Sequence, residues 1–166
     1  MPRSDLLVAE RIVMLTEPGD RGQVLDAAAR LLSGGLPTLT TSIGNALRER
    51  EQLISTAIGH GVAIPHARCN AHASARGAFL RLTRPVDFGA GDDIAVDLVF
   101  AMSVPEHSAQ RHLQALAEIA EHFNDGGFRA ALRCARDLPA LRKVLLDLPH
   151  ATMPMSVSAV QMNASR

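Results

Sequence analysis

The residues best suited to chemistry are two histidines within residues 55–68. His60 lies between two glycines, and His66 follows a short apolar run that ends at Pro65. That run, residues 62–64, is rich in β-branched side chains and predicts a strand, which the proline ends. An imidazole at such a strand end lies at the edge of the fold, where a partner can reach it. His66 is therefore a candidate to carry a chemical group.

Metal binding is the other chemistry that the histidine spacing suggests. His60, His66 and His72 are evenly spaced, as in some zinc sites. A proline and two glycines interrupt the segment, and no matched set of cysteines or carboxylates completes four ligands. We therefore expect no metal site and no cofactor. Four aspartates in turns and at strand ends are expected to be solvated: Asp87, Asp92, Asp93 and Asp97.

Composition narrows the classes of partner. The chain has 166 residues, enough for one domain with a sizeable core. Seventeen basic and seventeen acidic residues cancel, so no basic excess favours nucleic acid as a partner. Cys69 and Cys134 are too few for a disulfide framework, which fits a reducing cytoplasm. No apolar run is long enough to insert into a bilayer, and no signal-peptide core follows the N-terminus.

The first half of the chain predicts two helices and two strands. Apolar residues at helical spacing in residues 24–32 predict a helix that ends at Gly34-Gly35. A second helix is predicted over residues 43–52, with residues 40–42 as caps, Leu47 inward and residues 48–51 largely outward. Besides residues 62–64, a strand is predicted over residues 77–83.

The second half predicts one more strand and three helices. Residues 94–102 are nearly all apolar, as expected of a strand covered on both faces. Asp125 and Asp137 are predicted to cap the last two helices. The expected inward residues of the three helices are, in order, Leu113, Leu116, Ala117, Ala120 and Phe123; Phe128, Ala131, Leu132 and Ala135; and Leu141, Val144, Leu145 and Leu148.

Strands mixed with helices predict an α/β fold, a layered sheet with helices on its faces. We expect one domain over residues 6–148 and a flexible C-terminal tail over residues 149–166, where periodicity is lost. His112 falls in the first turn of the helix after Pro105, at the border of its apolar stripe. On its own, this position favours a half-buried histidine whose ring is satisfied by a backbone carbonyl.

An ordered set of motifs resembles the type-2 IIA domains of the phosphoenolpyruvate-dependent phosphotransferase system (PTS), the mannitol/fructose/nitrogen-regulatory class. The resemblance covers most of residues 6–148. The motifs that carry it are Arg50-Glu51, Ser55-Thr56, residues 58–66 (IGHGVAIPH), Pro85-Val86-Asp87-Phe88, Ala90, Asp92, residues 96–100, Val104-Pro105 and His112-Leu113. It implies the mannitol-type IIA fold, a layered α/β sandwich with a mixed β-sheet flanked by helices.

The resemblance also implies roles for single residues. His66 would accept a phosphoryl group from a histidine-phosphorylated carrier protein, His112 would be the family's second histidine, and Arg50 its arginine. Phosphoryl transfer needs a positioned nucleophile and cancellation of charge on the phosphoryl oxygens, so a neutral imidazole and a guanidinium suit it. On residue type alone, a solvated helix face rich in charge is the favoured alternative for Arg50.

The loop around His66 offers further donors to a phosphoryl group. Thr56, Gly59 and Gly61 are candidates, through a hydroxyl and through backbone N–H groups. Their alternative roles are a turn or cap for Thr56 and turn geometry alone for the glycines. Ala57 and Ala67 replace residues that are usually glycine in the family, and either would be strained if its φ were positive.

Two functions follow from the resemblance. One is a regulatory IIA protein of a nitrogen-related PTS, whose phosphorylation state selects its partners; relatives of this kind act on potassium transport or on sensor kinases. The other is a sugar-specific, fructose- or mannitol-type component that passes the phosphoryl group to a IIB domain. Either would be a phosphotransferase component with a phosphohistidine intermediate, and whether it counts as an enzyme stays open.

Overall fold

The computed structural model describes residues 6–147, in which one mixed sheet lies between two layers of helices. The strands are β1 Ile12–Leu15, β2 Ala57–Gly59, β3 Val62–Ala63, β4 His66–Arg68, β5 Arg76–Val86 and β6 Val96–Val104. The helices are α1 Arg21–Ser33, α2 Pro37–Leu53, α3 Ala109–Asn124, α4 Gly126–Cys134 and α5 Leu138–Leu146. The predicted tail, residues 149–166, and Leu148 lie outside the described residues.

The sheet has the order β1-β5-β6-β3-β2 and contains both parallel and antiparallel pairs. β5 and β6 are antiparallel, whereas β1 is parallel to β5 and β3 is parallel to β6. β4 also pairs in parallel with β6, beyond the point where β3 ends. The second half of β6 therefore has the short strand β4 as its neighbour, and this arrangement places His66 at an edge of the sheet.

Alternate residues of the central strands face two separate cores, because side chains of a strand point to opposite faces in turn. On one face, Leu80 and Val99 pack with α1 and α2. On the other, Phe79 and Met102 pack with α3, α4 and α5. The prediction that residues 94–102 form a strand covered on both faces is confirmed, with bounds of Val96–Val104.

The first helix agrees with its sequence signals, and the second begins earlier than predicted. Asp20 and Gln23 form a reciprocal capping box at the start of α1, and Gly34 ends it in the left-handed conformation. α2 begins at Pro37, in the first turn, where proline is tolerated. The hydroxyls of Thr40 and Thr41 bond to carbonyls one turn back, so these residues lie inside the helix and do not cap it.

The predicted orientations of side chains on α2 and α3 are wrong at several positions. Glu51, expected outward on α2, is buried. On α3 the inward stripe is shifted by one position: His112 and Ile119 are buried, whereas Leu113 is 63% exposed. The same shift exposes Ala117, and Ala131 of α4 is also exposed.

The later helices otherwise follow the prediction. Asp125 accepts hydrogen bonds from the first turn of α4 and Asp137 from that of α5, as expected of caps. Leu132 and Leu141 are fully buried against the sheet. Within the described part of the chain, no helix combines the length and apolarity that crossing a membrane requires.

Candidate functional site

His66 is the first residue of β4 and lies where helices from both faces of the sheet meet. Its backbone is in register with Met102 of β6, and the carbonyl of the preceding Pro65 accepts the Met102 N–H at 2.9 Å. Arg50, near the end of α2, approaches the ring from one side, and His112, in the first turn of α3, from the other. The fold thus brings together the three residues predicted to act in catalysis.

The two nitrogens of the His66 ring have different partners. Nδ1 lies 2.8 Å from the Ile64 carbonyl oxygen, which can only accept a hydrogen bond. The proton of the neutral ring is therefore assigned to Nδ1, and the lone pair to Nε2. The Arg50 Nε–H donates to Nε2 at 3.3 Å. His66 consequently presents Nε2 as its nucleophilic atom, beside a guanidinium.

Arg50 is held by the turn that follows its own helix. Its Nη1 donates to the Ile54 carbonyl at 2.8 Å, while its Nε faces His66. A guanidinium carries five N–H donors in a fixed plane, so this anchoring leaves further donors for the oxygens of an anion at Nε2. The alternative of a purely solvated arginine does not describe this side chain.

His112 packs against the His66 ring from within the protein. Its ring centroid is 5.2 Å from that of His66, with the planes tilted by 56°. The side chain is only 4% exposed, and its Nδ1 has no hydrogen-bond partner among the described residues. His112 is thus more buried than the half-buried residue expected from its helix position.

Both rings are kept neutral by their surroundings. Burial lowers the pKa of His66, and the Arg50 charge lowers it further, although the Ile64 carbonyl bond opposes both effects. Burial and then the neighbouring His66 lower the pKa of His112 to about 4. Neutral His66 keeps its lone pair at cell pH, and the positive charge at the site comes from Arg50 and Arg68.

Comparison with known families assigns the chain that carries this site to one of them. Residues 5–147 match the family described as "Phosphoenolpyruvate-dependent sugar phosphotransferase system, EIIA 2". The chain belongs to this family.

Individual relatives of this IIA chain agree with the assignment. It is 38% identical over 152 residues to a nitrogen regulatory protein of Bradyrhizobium diazoefficiens, covering 92% of this chain and 99% of the relative. It superimposes on the crystal structure of nitrogen regulatory protein IIA-Ntr from Neisseria meningitidis with a TM-score of 0.78 and 33% identity, covering 86% and 97% of the two chains. The Escherichia coli mannitol IIA structure shares the fold, at a TM-score of 0.68, 21% identity and coverage of 84% and 98%. The predicted fold class is confirmed.

Thr56 and the two glycines are placed differently from the expectation that they bind a phosphoryl group. Thr56 is buried, and its hydroxyl donates to Glu51 Oε2, so its single proton is already engaged. The Gly61 carbonyl accepts from Leu98 N, four residues before Met102 on β6, or about 13 Å along the strand. Gly59 and Gly61 therefore lie toward the opposite end of β6 from Met102, the residue beside His66. They shape a turn, which was the alternative role given for them.

The departures from the family pattern cause no strain. Ala57 lies in β2 and Ala67 in β4, and neither has a positive φ. Two residues of the site were missed from the sequence. Arg68 follows His66 by two positions on one strand, a spacing that places both side chains on the same face. Glu51 was hidden in a run of charges that resembles a solvated helix face.

Proposed function

We propose that this chain is a regulatory IIA protein of a nitrogen-related phosphotransferase system. His66 accepts a phosphoryl group at Nε2 from a histidine phosphocarrier protein, and the phosphorylation state determines which proteins the chain binds. The observation that carries the proposal is the His66 ring, with Nδ1 donating to the Ile64 carbonyl and Nε2 facing the Arg50 guanidinium.

The transfer step follows from these contacts. The N–P bond of the carrier breaks and its electron pair returns to the carrier's imidazole, while the His66 Nε2 lone pair forms the new N–P bond. The His66 ring gains positive charge as the bond forms, and the Nδ1–H bond to Ile64 stabilises that charge. Arg50 then faces the phosphoryl oxygens and neutralises their charge.

His112 assists as a neutral neighbour. With its pKa lowered to about 4, it adds no positive charge that would repel the cationic ring of phosphorylated His66. A neutral imidazole still carries one N–H, which is a donor for a phosphoryl oxygen or for the nucleophile. The ring contact between the two histidines supports this role, since it places His112 beside His66.

The relatives favour the regulatory function over the sugar-specific one. The proteins from Bradyrhizobium diazoefficiens and Neisseria meningitidis are both named as nitrogen regulatory, and both align with most of this chain. The likeness to the mannitol protein, at 21% identity, supports the fold alone. We propose a cytoplasmic location, with potassium transport systems or sensor kinases as the candidate targets; the free Cys69 and Cys134 suit a reducing compartment.

Intact-protein mass spectrometry tests the phosphoryl acceptor. The chain is incubated with phosphoenolpyruvate, enzyme I and a histidine phosphocarrier, beside His66→Ala and His60→Asn. We expect one acid-labile phosphoryl group on the wild type and on His60→Asn, and none on His66→Ala. Uptake by His66→Ala at the wild-type rate would refute His66 as the acceptor.

A second assay separates the two functions. Phosphorylated protein is mixed with fructose- or mannitol-type IIB domains, and loss of the phosphoryl group is followed over time. We expect retention of the group with IIB and a change in binding to a regulatory target on phosphorylation. Rapid transfer to IIB would establish the sugar-specific alternative.

A further inference from the structure

Glu51 is a buried carboxylate that the transfer step does not use. It is 7% exposed, and both of its oxygens have partners in the turn after α2. Oε1 accepts the Thr56 N–H at 3.1 Å, and Oε2 accepts the Thr56 hydroxyl. Arg21 Nη1 lies 3.6 Å from Oε1. A buried charge is tolerated when it is paired and hydrogen-bonded, so these contacts explain why Glu51 stays inside.

Hydrogen bonds continue from Thr56 to the nucleophile. The Thr56 carbonyl accepts the Ile64 N–H at 3.0 Å, and the Ile64 carbonyl accepts the His66 Nδ1–H at 2.8 Å. The backbone N–H that follows Ile64 is missing, because the next residue is Pro65. The Ile64 carbonyl is held on one side by the Ile64–Thr56 bond and on the other by Pro65, whose carbonyl accepts the Met102 N–H at 2.9 Å.

The same turn also holds the partner of the other ring nitrogen. Arg50, the residue before Glu51, donates to the Ile54 carbonyl and to His66 Nε2. Glu51 closes residues 51–56 into a fixed turn, since it binds Thr56 through two hydrogen bonds. One turn thus positions both groups that hydrogen-bond to the His66 ring, Arg50 directly and the Ile64 carbonyl through Thr56.

We propose that Glu51 is a positioning residue for His66: by fastening Thr56, it fixes the Nδ1–H tautomer of His66 and directs Nε2 toward Arg50. The expected effect of Glu51 on the transfer rate rests on the proposed function. The expected effect on the His66 tautomer does not depend on that function. The hydrogen bonds hold successive groups in place and carry no proton between Glu51 and His66. Thr56, whose hydroxyl is engaged by Glu51, receives a role as the link.

Charge supports the same role. The negative charge of Glu51 raises the pKa of His66, against the lowering by burial and by Arg50. A carboxylate in this position stabilises the ring as it becomes cationic during N–P bond formation, since charges interact strongly away from bulk water. Glu51 therefore offsets the positive charge of the ring as well as supporting the Nδ1–H tautomer.

Glu51→Gln and Thr56→Val test the proposal. In Glu51→Gln the amide oxygen can accept only the Thr56 N–H, the Thr56 hydroxyl must reverse to accept from the NH₂ group, and the negative charge is lost. Valine removes the hydroxyl while keeping the shape. The matched controls are Glu49→Gln, which removes an exposed charge from the same helix, and Thr56→Ser, which keeps the hydroxyl. Folding of each variant is checked by circular dichroism.

The readouts are the ¹⁵N chemical shifts of the His66 ring, without any donor, and the rate of phosphoryl uptake. We expect Glu51→Gln and Thr56→Val to shift His66 toward a mixture of tautomers and to slow uptake at least tenfold, with carrier affinity changed less than twofold. The controls should match the wild type in both.

Wild-type tautomer and uptake within twofold of wild type in both Glu51→Gln and Thr56→Val would overturn the proposal. A rate loss in Glu51→Gln that equals its unfolded fraction, with normal Thr56→Val, would overturn it too, because Glu51 would then be only structural. If the wild type accepted no phosphoryl group, the proposed function would fail, while the tautomer comparison would still decide the role of Glu51.

Discussion

At the residue scale, Arg50 divides its donors between the nucleophile and its own turn. Nε faces His66 Nε2, and Nη1 is anchored on the Ile54 carbonyl. A lysine at this position has one nitrogen on a flexible stem and cannot serve both partners at once. The geometry of the fork, and not only its charge, should therefore matter for transfer.

We expect Arg50→Lys to slow phosphoryl uptake about 10- to 100-fold, because preorganised donors aimed at developing charge contribute on this scale. Rapid-quench kinetics with the phosphorylated carrier measures the rate. Arg84→Lys, an exposed arginine of β5, is the control and should not change it. A normal rate in Arg50→Lys would mean that charge alone is sufficient.

The sequence predicted which residues come together at the site better than it predicted their surroundings. Proline before His66 indicates a strand end, and resemblance to the family selects Arg50 and His112. The burial of Glu51 could not be predicted from the sequence. Its partner Thr56 lies after the turn that follows α2, and the two residues meet only once that turn has formed. A run of charged side chains on a helix normally indicates a solvent-exposed face.

At the element scale, the β2–β3 hairpin is a structural feature of the sheet that lies away from His66. His60 and Gly61 form its two-residue turn with φ values of 57° and 78°, the positive pair that favours Asn-Gly. The His60 carbonyl accepts from Arg133 Nη2, and the His60 N–H donates to Asp92. The hairpin is therefore fastened to α4 and to the loop before β6.

Gly61→Ala should destabilise the fold without changing the chemistry. A Cβ there would lie 2.6 Å from Arg133 Nη2 and 2.9 Å from Asp97 Oδ1, besides the strain of a positive φ. We expect a loss of about 2 kcal/mol or more in the free energy of unfolding. Gly35→Ala, with a φ of 82° and open space around it, is the control and should cost about 1 kcal/mol.

Denaturant titration measures both variants, and the uptake rate per folded molecule is compared afterwards. That rate should equal the wild-type rate in Gly61→Ala, because the turn is about 13 Å from His66 along β6. A specific loss of transfer in Gly61→Ala would restore Gly61 to the phosphoryl-binding site.

Two hydrogen bonds join the loop after β4 to the loop before α3, the elements that carry the two histidines. The Asn70 side chain, after β4, donates to the Glu106 carboxylate at 3.2 Å and accepts the Glu106 N–H at 3.1 Å, before α3. These two bonds connect the segment after His66 with the segment before His112. They are exposed, so they should contribute more to geometry than to stability.

Asn70→Ala should cost about 1 kcal/mol or less in stability but slow phosphoryl uptake severalfold, since it frees both loops. Thermal unfolding and rapid-quench kinetics give the two quantities. Asn45→Ala, at an exposed position of α2, is the control. An unchanged uptake rate in Asn70→Ala would show that the helices alone hold the histidines.

Element prediction from the sequence was accurate where signals were long or chemically specific. The capping aspartates and the glycine end of α1 were read correctly, because each rests on local hydrogen bonding. The short strands β1, β2 and β4 were missed because four residues or fewer give no readable period, whereas the equally short β3 was predicted from its β-branched run and the proline that ends it. The face of α3 was ambiguous because Leu113 and Leu116 fit one stripe as well as His112 and Leu116 fit another.

At the scale of the whole molecule, the buried histidine couples the active site to stability in acid. The pKa of His112 is lowered to about 4 in the fold, from the 6.5 of a free imidazole side chain. The unfolded chain therefore binds the extra proton between these values, and stability falls as pH falls through this window. Above pH 7 the ring is neutral in both the folded and the unfolded chain, so its titration does not reduce the free energy of unfolding.

Lowering the pH from 7 to 4 should reduce the free energy of unfolding by up to about 3 kcal/mol through His112. His66, whose pKa is also lowered, adds in the same direction. Urea titrations between pH 4 and 7.5 measure this dependence, which should be flatter in His112→Gln. The difference between the proteins at pH 7.5 gives the packing cost of the substitution alone. Parallel curves for the two proteins would mean that His112 is not held neutral.

The central claim is that His66 accepts the phosphoryl group at Nε2 while Nδ1 keeps its proton. Imidazole ¹⁵N spectra of the protein before and after phosphorylation by the carrier test it most directly. We predict that the His66 Nε2 resonance changes from that of a bare ring nitrogen to that of a phosphorylated one, with Nδ1 still protonated. Phosphorylation at Nδ1, or at another histidine, would contradict the account.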